Sequence, residues 1–134
     1  MKNKPLISII VNCLNGEKYL DEALKSVLNQ SYKNWEIIFF DNNSTDTSYL
    51  ILKKYKDKRI KYFKSKKTYK LYKARNLALE KCKGQMITFL DVDDWWAKSK
   101  LKKQVDFFFK NQTVEVLYSN VYIYNEKKKA TKIF

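Results

Sequence analysis

Three carboxylates lie directly after an apolar run in the second half of this 134-residue chain. Residues 86–90 read Met-Ile-Thr-Phe-Leu, and Asp91, Asp93 and Asp94 follow within four positions. A short β-branched and aromatic run predicts a buried strand, and ligands of open α/β sheets bind outside the carboxyl ends of strands. Like charges this close repel one another unless a cation lies between them. Because Mg²⁺ prefers one or two carboxylates together with substrate phosphates, the pattern favours a divalent metal that binds a phosphate ligand.

The same carboxylates have a second, structural interpretation. Aspartate is a favourable N-cap residue, and acidic side chains stabilise the first turn of a helix. Residues 97–110 have the apolar spacing of a helix, so the acidic stretch can cap that helix. The stretch alone leaves both interpretations open, but other polar clusters in the chain favour the ligand site.

Polar residues also follow two earlier apolar runs. Asn12 and Asn15 close the first run, and Asp41 closes the second. In a parallel sheet such ends gather on one edge, where a carboxylate can accept hydrogen bonds from a nucleobase or a ribose. Arg75 lies on the helix predicted before the acidic stretch and can pair with a phosphate. The chain has neither a Gly-rich dinucleotide motif nor a P-loop, which argues against nicotinamide cofactors and P-loop chemistry.

The apolar spacing alternates between strand and helix periods along the chain. β-Branched and aromatic runs predict strands at 6–13, 35–40, 60–63, 86–90 and 114–124. Helical spacing predicts helices at 17–29, about 46–55, 72–82 and 97–110, with residues 44–46 as the cap of the second and Gly84 as the stop of the third. This order predicts one α/β domain over residues 1–134, a doubly wound, mostly parallel sheet in three α/β/α layers. Residues 127–129 and the last residues are expected to form a poorly ordered end.

Positive charge is concentrated in the middle of the chain. The net charge is +14, and residues 53–73 contain eleven Lys or Arg and a single acid, Asp57. We favour a solvated basic face, with attraction to an anionic membrane as the second interpretation. Nucleic-acid binding is disfavoured and not expected, because nearly all these residues are Lys, whereas bidentate phosphate and base contacts favour Arg.

Other residue types narrow the chemistry and the compartment. The chain contains no histidine, which removes His-based catalysis and His metal ligands. Cys13 and Cys82 have no metal-binding spacing and are expected to be reduced thiols. Neither a secretory leader nor a run long enough to span a bilayer is visible. The sequence therefore predicts a cytoplasmic protein. The basic residues at 53–73 allow peripheral binding at the inner face of the cell membrane.

Four groups of residues in order carry a resemblance to a known family. They are residues 7–15, 26–32, 35–46, and 74–76 taken with 89–96. Together they resemble the nucleotide-binding half of family-2 glycosyltransferases, which have the Rossmann-like GT-A fold, and the match extends to about residue 118. The resemblance implies an enzyme that transfers a sugar from a nucleotide-sugar donor to a glycan or lipid-linked acceptor in surface polysaccharide synthesis.

The resemblance also implies roles for individual residues. Asp41 would bind the nucleobase, while Asn12 would line the nucleoside pocket with Asn15 among the donor-binding residues. Arg75 would lie near the diphosphate or the base. Asp91 would contact the ribose or the metal, and Asp93 would be the main ligand of a Mg²⁺ or Mn²⁺ ion.

The chain departs from the family pattern in three respects. Leu14 stands where the family has a tyrosine, and Ala78 stands where the family has a glycine. Family members are also longer, and their second half supplies the acceptor site and, in inverting enzymes, a carboxylate base. The resemblance therefore implies that the acceptor half and the base lie outside these residues. A non-catalytic or fragmentary nucleotide-sugar-binding domain is the alternative function.

Overall fold

The computed structural model describes residues 4–127 and 130–133 of the chain. These residues fall into two compact units that divide between Lys102 and Lys103. No helix in the described part of the chain is long and apolar enough to cross a membrane. In chain order the elements are β1 (Ile7–Cys13), α1 (Leu20–Leu28), β2 (Trp35–Asp41), α2 (Ser48–Lys53), β3 (Ile60–Lys64), α3 (Leu71–Leu79), β4 (Met86–Phe89), α4 (Lys100–Lys110), β5 (Tyr122–Asn125) and β6 (Ala130–Ile133).

The first unit is built on a parallel sheet with the strand order β3-β2-β1-β4. Strand β1 is hydrogen-bonded on both sides, so that Ile9 pairs with Ile37 of β2 and with Thr88 of β4. The chain moves outward from β1 to β3 and then crosses back to β4 on the other side of β1. The winding direction therefore reverses between β1 and β4, which confirms the predicted doubly wound sheet.

Helix α3 covers one face of this sheet. Its Ala74 and Ala78 form a buried cluster with Ile10, Ile38 and Phe40 of the two central strands. The small alanine side chains allow the helix to lie close to the strands. Residues that alternate with these three along the strands point to the opposite face.

Helix α2 contacts the opposite face through Tyr49, and α1 contacts α2. Tyr49 of α2 packs against Tyr62 of β3, with ring centroids 4.9 Å apart, and Tyr62 stacks on Phe39 of β2 at 6.1 Å. Ile9 and Ile37 point to this face and are fully buried. Helices thus lie on both faces, which confirms the predicted three-layer α/β/α arrangement and explains why the central strands β1 and β2 are continuous apolar runs. The predicted burial of the strand at 86–90 is wrong, because Ile87 and Phe89 of β4 are 47% and 43% exposed.

The predicted fifth strand at 114–124 is wrong over residues 114–121, and only its last three residues belong to β5. Residues 114–121 have no regular structure, and Val116 and Tyr118 are 80% and 90% exposed. The second unit instead contains an antiparallel β5–β6 pair, in which Tyr124 pairs with Thr131. Alternating side chains indicate that a segment can form a strand, but a strand also needs a partner edge. Of the expected poorly ordered end, residues 130–133 form β6, while 128, 129 and 134 lie outside the described residues.

Three predicted element ends are also corrected. Helix α3 ends at Leu79, so Gly84 does not stop it. Gly84 instead lies against β1, where an added Cβ would come within 2.5 Å of the Ser8 nitrogen. The N-cap of α2 is Thr47 rather than a residue of 44–46, although Asp46 accepts a hydrogen bond from the Ser48 N–H. Helix α4 begins at Lys100, six positions after the acidic stretch, so those carboxylates do not cap it.

A buried carboxylate joins three strands near the amino end of the sheet. Glu36 of β2 accepts hydrogen bonds from Ser8 Oγ and the Lys83 N–H, both at 2.7 Å, and Lys61 Nζ of β3 donates to its other oxygen at 2.6 Å. Ser8 Oγ in turn accepts from the Gly84 N–H at 2.8 Å. Burial alone would raise the pKa of Glu36, but these donors outweigh burial and hold the pKa below its usual value.

We expect Glu36→Gln to lower the free energy of unfolding by about 1–3 kcal/mol at neutral pH, because the amide presents a donor to Lys61. Lys61 is partly exposed and screened, which places the cost toward the lower end. Since the folded pKa of Glu36 is lowered, its contribution is present above the unfolded pKa and is lost as pH falls through the folded pKa. Urea unfolding of both proteins at neutral and acidic pH measures this difference, which should narrow in acid.

The matched control for this prediction is Lys25→Gln, which breaks an exposed ion pair with Asp21 on α1. Such a pair contributes about 0.3–0.5 kcal/mol. A cost for Glu36→Gln no larger than that of the control, or one that stays constant into acid, would contradict the assigned role of Glu36.

Candidate functional site

The candidate site lies at the carboxyl edge of the sheet, where the winding reverses. The Leu90 N–H donates to the Ile10 carbonyl at 2.9 Å, which holds the end of β4 against β1. Ile10 pairs with Phe89, and two positions further along the two strands lie Asn12 and Asp91. The predicted polar clusters after β1 and β4 therefore meet at this edge, which is where doubly wound sheets bind ligands.

Asn12 has a buried amide that is not satisfied within the described residues. Both its Oδ1 and its Nδ2 are inaccessible to solvent and have no hydrogen-bond partner there. Its register partner is Phe40, so the side chain belongs to the face of the sheet that α3 covers. A buried amide without partners is costly, and a ligand with both a donor and an acceptor can satisfy it.

Asn15 joins the loop after β1 to the loop after β2. Its Oδ1 accepts a hydrogen bond from the Thr45 N–H at 2.9 Å, and its own N–H donates to Ser44 Oγ at 3.0 Å. The residue has a φ of 54°, a left-handed conformation that asparagine tolerates better than most residues. The Gly16 N–H adds a third bond by donating to Ser48 Oγ, at the start of α2, at 2.9 Å. Asn15 thus shapes this edge of the sheet through its loop contacts.

Asp41 ends β2 beneath the surface, with an exposed fraction of 1%. One carboxylate oxygen accepts from the Ser44 N–H at 2.7 Å, and the other accepts from Tyr62 Oη at 2.8 Å. Burial, followed by the bond to Asp41, raises the pKa of Tyr62. The carboxylate is therefore fixed in orientation by a loop and by the neighbouring strand β3.

The acidic loop, defined as residues 91–99, begins with a turn that the Asp94 N–H closes on the Asp91 carbonyl at 3.1 Å. Asp91, Asp93 and Asp94 are all exposed to solvent. Burial and the negative charges of Asp93 and Asp91 raise the pKa of Asp94. A cation at this turn would relieve the repulsion among the three carboxylates.

Arg75 reaches the acidic loop from α3. Its Nη2 lies 2.8 Å from Asp91 Oδ1, and its guanidinium carbon lies 5.2 Å from the ring centre of Phe89. Both members of the pair are partly exposed to solvent. The structure thus brings together Arg75, Asp91 and the strand end that carries Asn12, as their predicted roles require.

The donor atoms present limit how a metal could be held. The described residues contain no group of three His, Cys, Asp or Glu side chains arranged to hold a metal ion. Asp91 and Asp93 alone match the habit of Mg²⁺, which uses one or two carboxylates and completes its shell with phosphates and water. The residues therefore fit a metal that arrives with a phosphate ligand rather than a resident metal in a protein cage.

Gln30, just after α1, holds the far end of the acidic loop. Its Nε2 donates to the Ala97 carbonyl at 2.9 Å, and its Oε1 accepts from the Leu101 N–H at 3.1 Å. The Ser31 N–H adds a bond of 2.9 Å to the Lys98 carbonyl. Gln30 is fully buried, so its amide positions this loop and does not contact solvent.

Gln30 and Tyr62 support the site but were not predicted from the sequence, and Ser44 was predicted only as part of a helix cap. Gln30 lies within the segment 26–32 that carries the family resemblance, so an uncharged polar residue beside the apolar positions of α1 was the available signal. No comparable signal marked Tyr62, because its contact with Asp41 depends on the pairing of β2 with β3.

Comparison with known proteins identifies the class of protein. Residues 8–133 match the family model described as glycosyl transferase family 2, and the chain therefore belongs to this family. An uncharacterized glycosyltransferase of Haemophilus influenzae is 47% identical over 114 residues, which are 84% of this chain and 46% of that protein. The Escherichia coli enzyme WfaP, named as a UDP-Glc:alpha-D-GlcNAc-diphosphoundecaprenol beta-1,3-glucosyltransferase, is 41% identical over 88% of this chain and 47% of its own length.

A solved structure supports the fold. The structure of Staphylococcus aureus TarS residues 1–349 in complex with UDP-GlcNAc has a TM-score of 0.76 and 32% identity, over 79% of this chain and 32% of that chain. The predicted GT-A fold is thereby confirmed. The chain spans less than half the length of the relatives that it matches.

We expect Gln30→Glu to loosen the acidic loop, because a carboxylate cannot donate the hydrogen bond to the Ala97 carbonyl. An unsatisfied buried contact of this kind costs about 1–3 kcal/mol. Hydrogen exchange read by mass spectrometry should show faster exchange in peptides that cover residues 91–99. Gln85→Glu is the control, because Gln85 uses only its Oε1, as an acceptor from the Leu6 N–H. Equal exchange of the loop in both variants would contradict the positioning role of Gln30.

Proposed function

We propose that this chain forms the donor-binding part of a glycosyltransferase that transfers a sugar from a nucleotide-sugar to a glycan or lipid-linked acceptor. The observation that carries the proposal is the meeting of the unsatisfied Asn12 amide with the Arg75–Asp91 pair at the edge between β1 and β4. A nucleotide-sugar has hydrogen-bonding groups for the amide and a diphosphate for the cationic side chain and a metal. The membership of family 2 supports the reaction class.

We assign the donor-binding roles as follows. Asn12 and Asp41 bind the nucleoside, and Asn15 shapes the pocket from the loop that it holds. Arg75 binds the diphosphate, and Asp91 contacts the ribose or the metal. TarS binds UDP-GlcNAc and WfaP is named for UDP-Glc, which supports a uridine nucleotide as the first donor to test.

Asp91 and Asp93 are the proposed ligands of Mg²⁺ or Mn²⁺. Such an ion, when bound, supplies a Lewis acid that stabilises the charge of the departing diphosphate. The two side chains hold the ion at the end of β4, and Gln30 fixes the other end of the loop that carries them. This arrangement lets the protein align the diphosphate before the sugar leaves.

The acceptor and the place of action are inferred from chemistry outside the donor site. WfaP is named for a diphosphoundecaprenol-linked acceptor, which is a membrane lipid, and this supports a lipid-linked glycan in surface polysaccharide synthesis. A membrane-bound acceptor and a net charge of +14 support peripheral association with the anionic cytoplasmic face of the cell membrane.

We expect UDP to bind this chain tightly only when Mn²⁺ or Mg²⁺ is present, and Asp93→Asn to reduce binding in Mn²⁺ to the level found in EDTA. The reason is that the variant removes a charged oxygen ligand from a donor set of two. Isothermal titration calorimetry with and without metal measures both effects. Asp94→Asn is the control, because it removes a charge from the same turn without removing a proposed ligand. Equal UDP affinity in EDTA and in Mn²⁺ would show that no metal takes part in donor binding.

We expect Asp41→Asn to weaken UDP binding by about 10- to 150-fold, the equivalent of losing a hydrogen bond to a charged group. The amide can still accept from Ser44 and can donate to Tyr62, so the free energy of unfolding should change little. Tyr62→Phe keeps the carboxylate and should retain UDP affinity. Calorimetry and urea unfolding separate the two effects. An unchanged UDP affinity would make Asp41 a structural residue, as its burial alone would allow.

A further inference from the structure

A basic segment lies beside the candidate site and takes no part in it. Residues 64–73, here called the basic segment, contain five lysines and no acidic residue. All five lysines are exposed, and so are the two large side chains Leu71 and Tyr72, at 52% and 67%. A solvated basic face accounts for the lysines but not for two neighbouring apolar side chains in water.

The basic segment has a defined conformation. The Asn42 side chain forms two hydrogen bonds with the backbone of Tyr69, at 2.8 Å to its carbonyl and 2.9 Å from its N–H. The Ser65 N–H donates to the Asp41 carbonyl at 2.9 Å, and Ser65 Oγ donates to the Lys67 carbonyl at 2.8 Å. These bonds fix the backbone while the lysine side chains stay exposed, that of Lys67 with its Nζ 5.5 Å from the ring centre of Tyr69.

The same bonds place the basic segment at the carboxyl edge of the sheet. Asn42 directly follows β2 and Ser65 directly follows β3, so the segment shares the edge on which the acidic loop lies. Its last residues form the first turn of α3, and Arg75 lies one turn further along that helix. A partner surface that binds the basic segment would therefore lie near the same edge of the sheet as the candidate donor site.

We propose that the basic segment docks this protein on an anionic phospholipid bilayer. The five lysines contact lipid phosphates, and Leu71 and Tyr72 enter the headgroup region, where amphipathic and apolar side chains are stabilised. Lysine suits diffuse phosphate charge, whereas bidentate recognition of a single anion favours arginine. A soluble polyanion would use the lysines but gains nothing from the exposed Leu71, so the composition favours a membrane. The orientation toward a lipid-linked acceptor rests on the proposed function, but the docking does not.

The experiment compares two triple variants in co-sedimentation with lipid vesicles. Wild type should bind vesicles that contain phosphatidylglycerol and not vesicles of phosphatidylcholine alone, with binding that weakens as salt rises. Each lysine near the surface contributes about fivefold to partitioning, so the combined Lys66→Gln, Lys67→Gln and Lys70→Gln variant should bind about a hundredfold more weakly.

The control variant combines Lys4→Gln, Lys33→Gln and Lys83→Gln. These exposed lysines precede β1, β2 and β4, so they lie at the opposite edge of the sheet, about 20 Å away and beyond the screening length. The control changes net charge equally and should lose little vesicle binding. Equal losses in the two triple variants, or binding that ignores phosphatidylglycerol, would overturn the proposal.

A single variant distinguishes a membrane from other polyanions. Leu71→Ser should weaken vesicle binding but leave binding to heparin unchanged. An unchanged vesicle affinity would overturn the membrane assignment and favour a soluble polyanion as the ligand of the basic segment. UDP binding with Mn²⁺, measured on the same proteins, should be unaffected. If wild type fails to bind UDP yet binds anionic vesicles, the proposed donor site is wrong and the docking surface stands.

Discussion

Strand β1 pairs with neighbours on both sides, and the candidate site depends on this double pairing. The ladders with β2 and β4 are extended at the carboxyl end by two backbone bonds, from the Leu90 N–H to Ile10 and from the Asn42 N–H to Cys13. Adjacent strands lie about 4.8 Å apart, so these bonds fix the distances between the residues that leave the sheet there. Residues from three distant parts of the chain reach the same edge of the sheet only because β1 lies between the other two strands.

The centre of the sheet could be predicted from sequence because β1 and β2 are buried on both faces. Such strands are continuous apolar runs that stand out from their surroundings, and the helical spacing between them requires parallel crossovers. The fifth strand failed for a related reason. Residues 114–124 alternate like a half-buried strand, but the partner that pairs with Tyr124 is Thr131 of an antiparallel hairpin. The alternation of apolar and polar side chains is a property of one segment, whereas strand pairing also depends on the segment that pairs with it.

The candidate site was predicted by position but not by contact. The predicted residues lie at the expected edge because three of them are at or just after the ends of strands and the fourth is on α3. They are Asn12, Asp41, Asp91 and Arg75. Their partners could not be predicted, because Asp41 is bound by Tyr62 from the neighbouring strand and by a loop N–H. The contact with Tyr62 depends on the pairing of β2 with β3, which no local pattern encodes. The contacts of Asp41 also determine which substitutions distinguish a ligand-binding role of this residue from a structural role.

The three aspartates of the acidic loop differ in whether a positively charged side chain pairs with them. Asp91 pairs with Arg75, whereas burial and then the nearby charges of Asp93 and Asp91 raise the pKa of Asp94. In a chain of net charge +14 this acidic turn is a local exception. If a donor diphosphate with a metal bound here, the diphosphate would give Arg75 another anion to pair with, and the metal would give Asp91 another cation. The Arg75–Asp91 pair can thus be exchanged for two contacts of the same kind, so that ligand binding need not leave either charge without a partner.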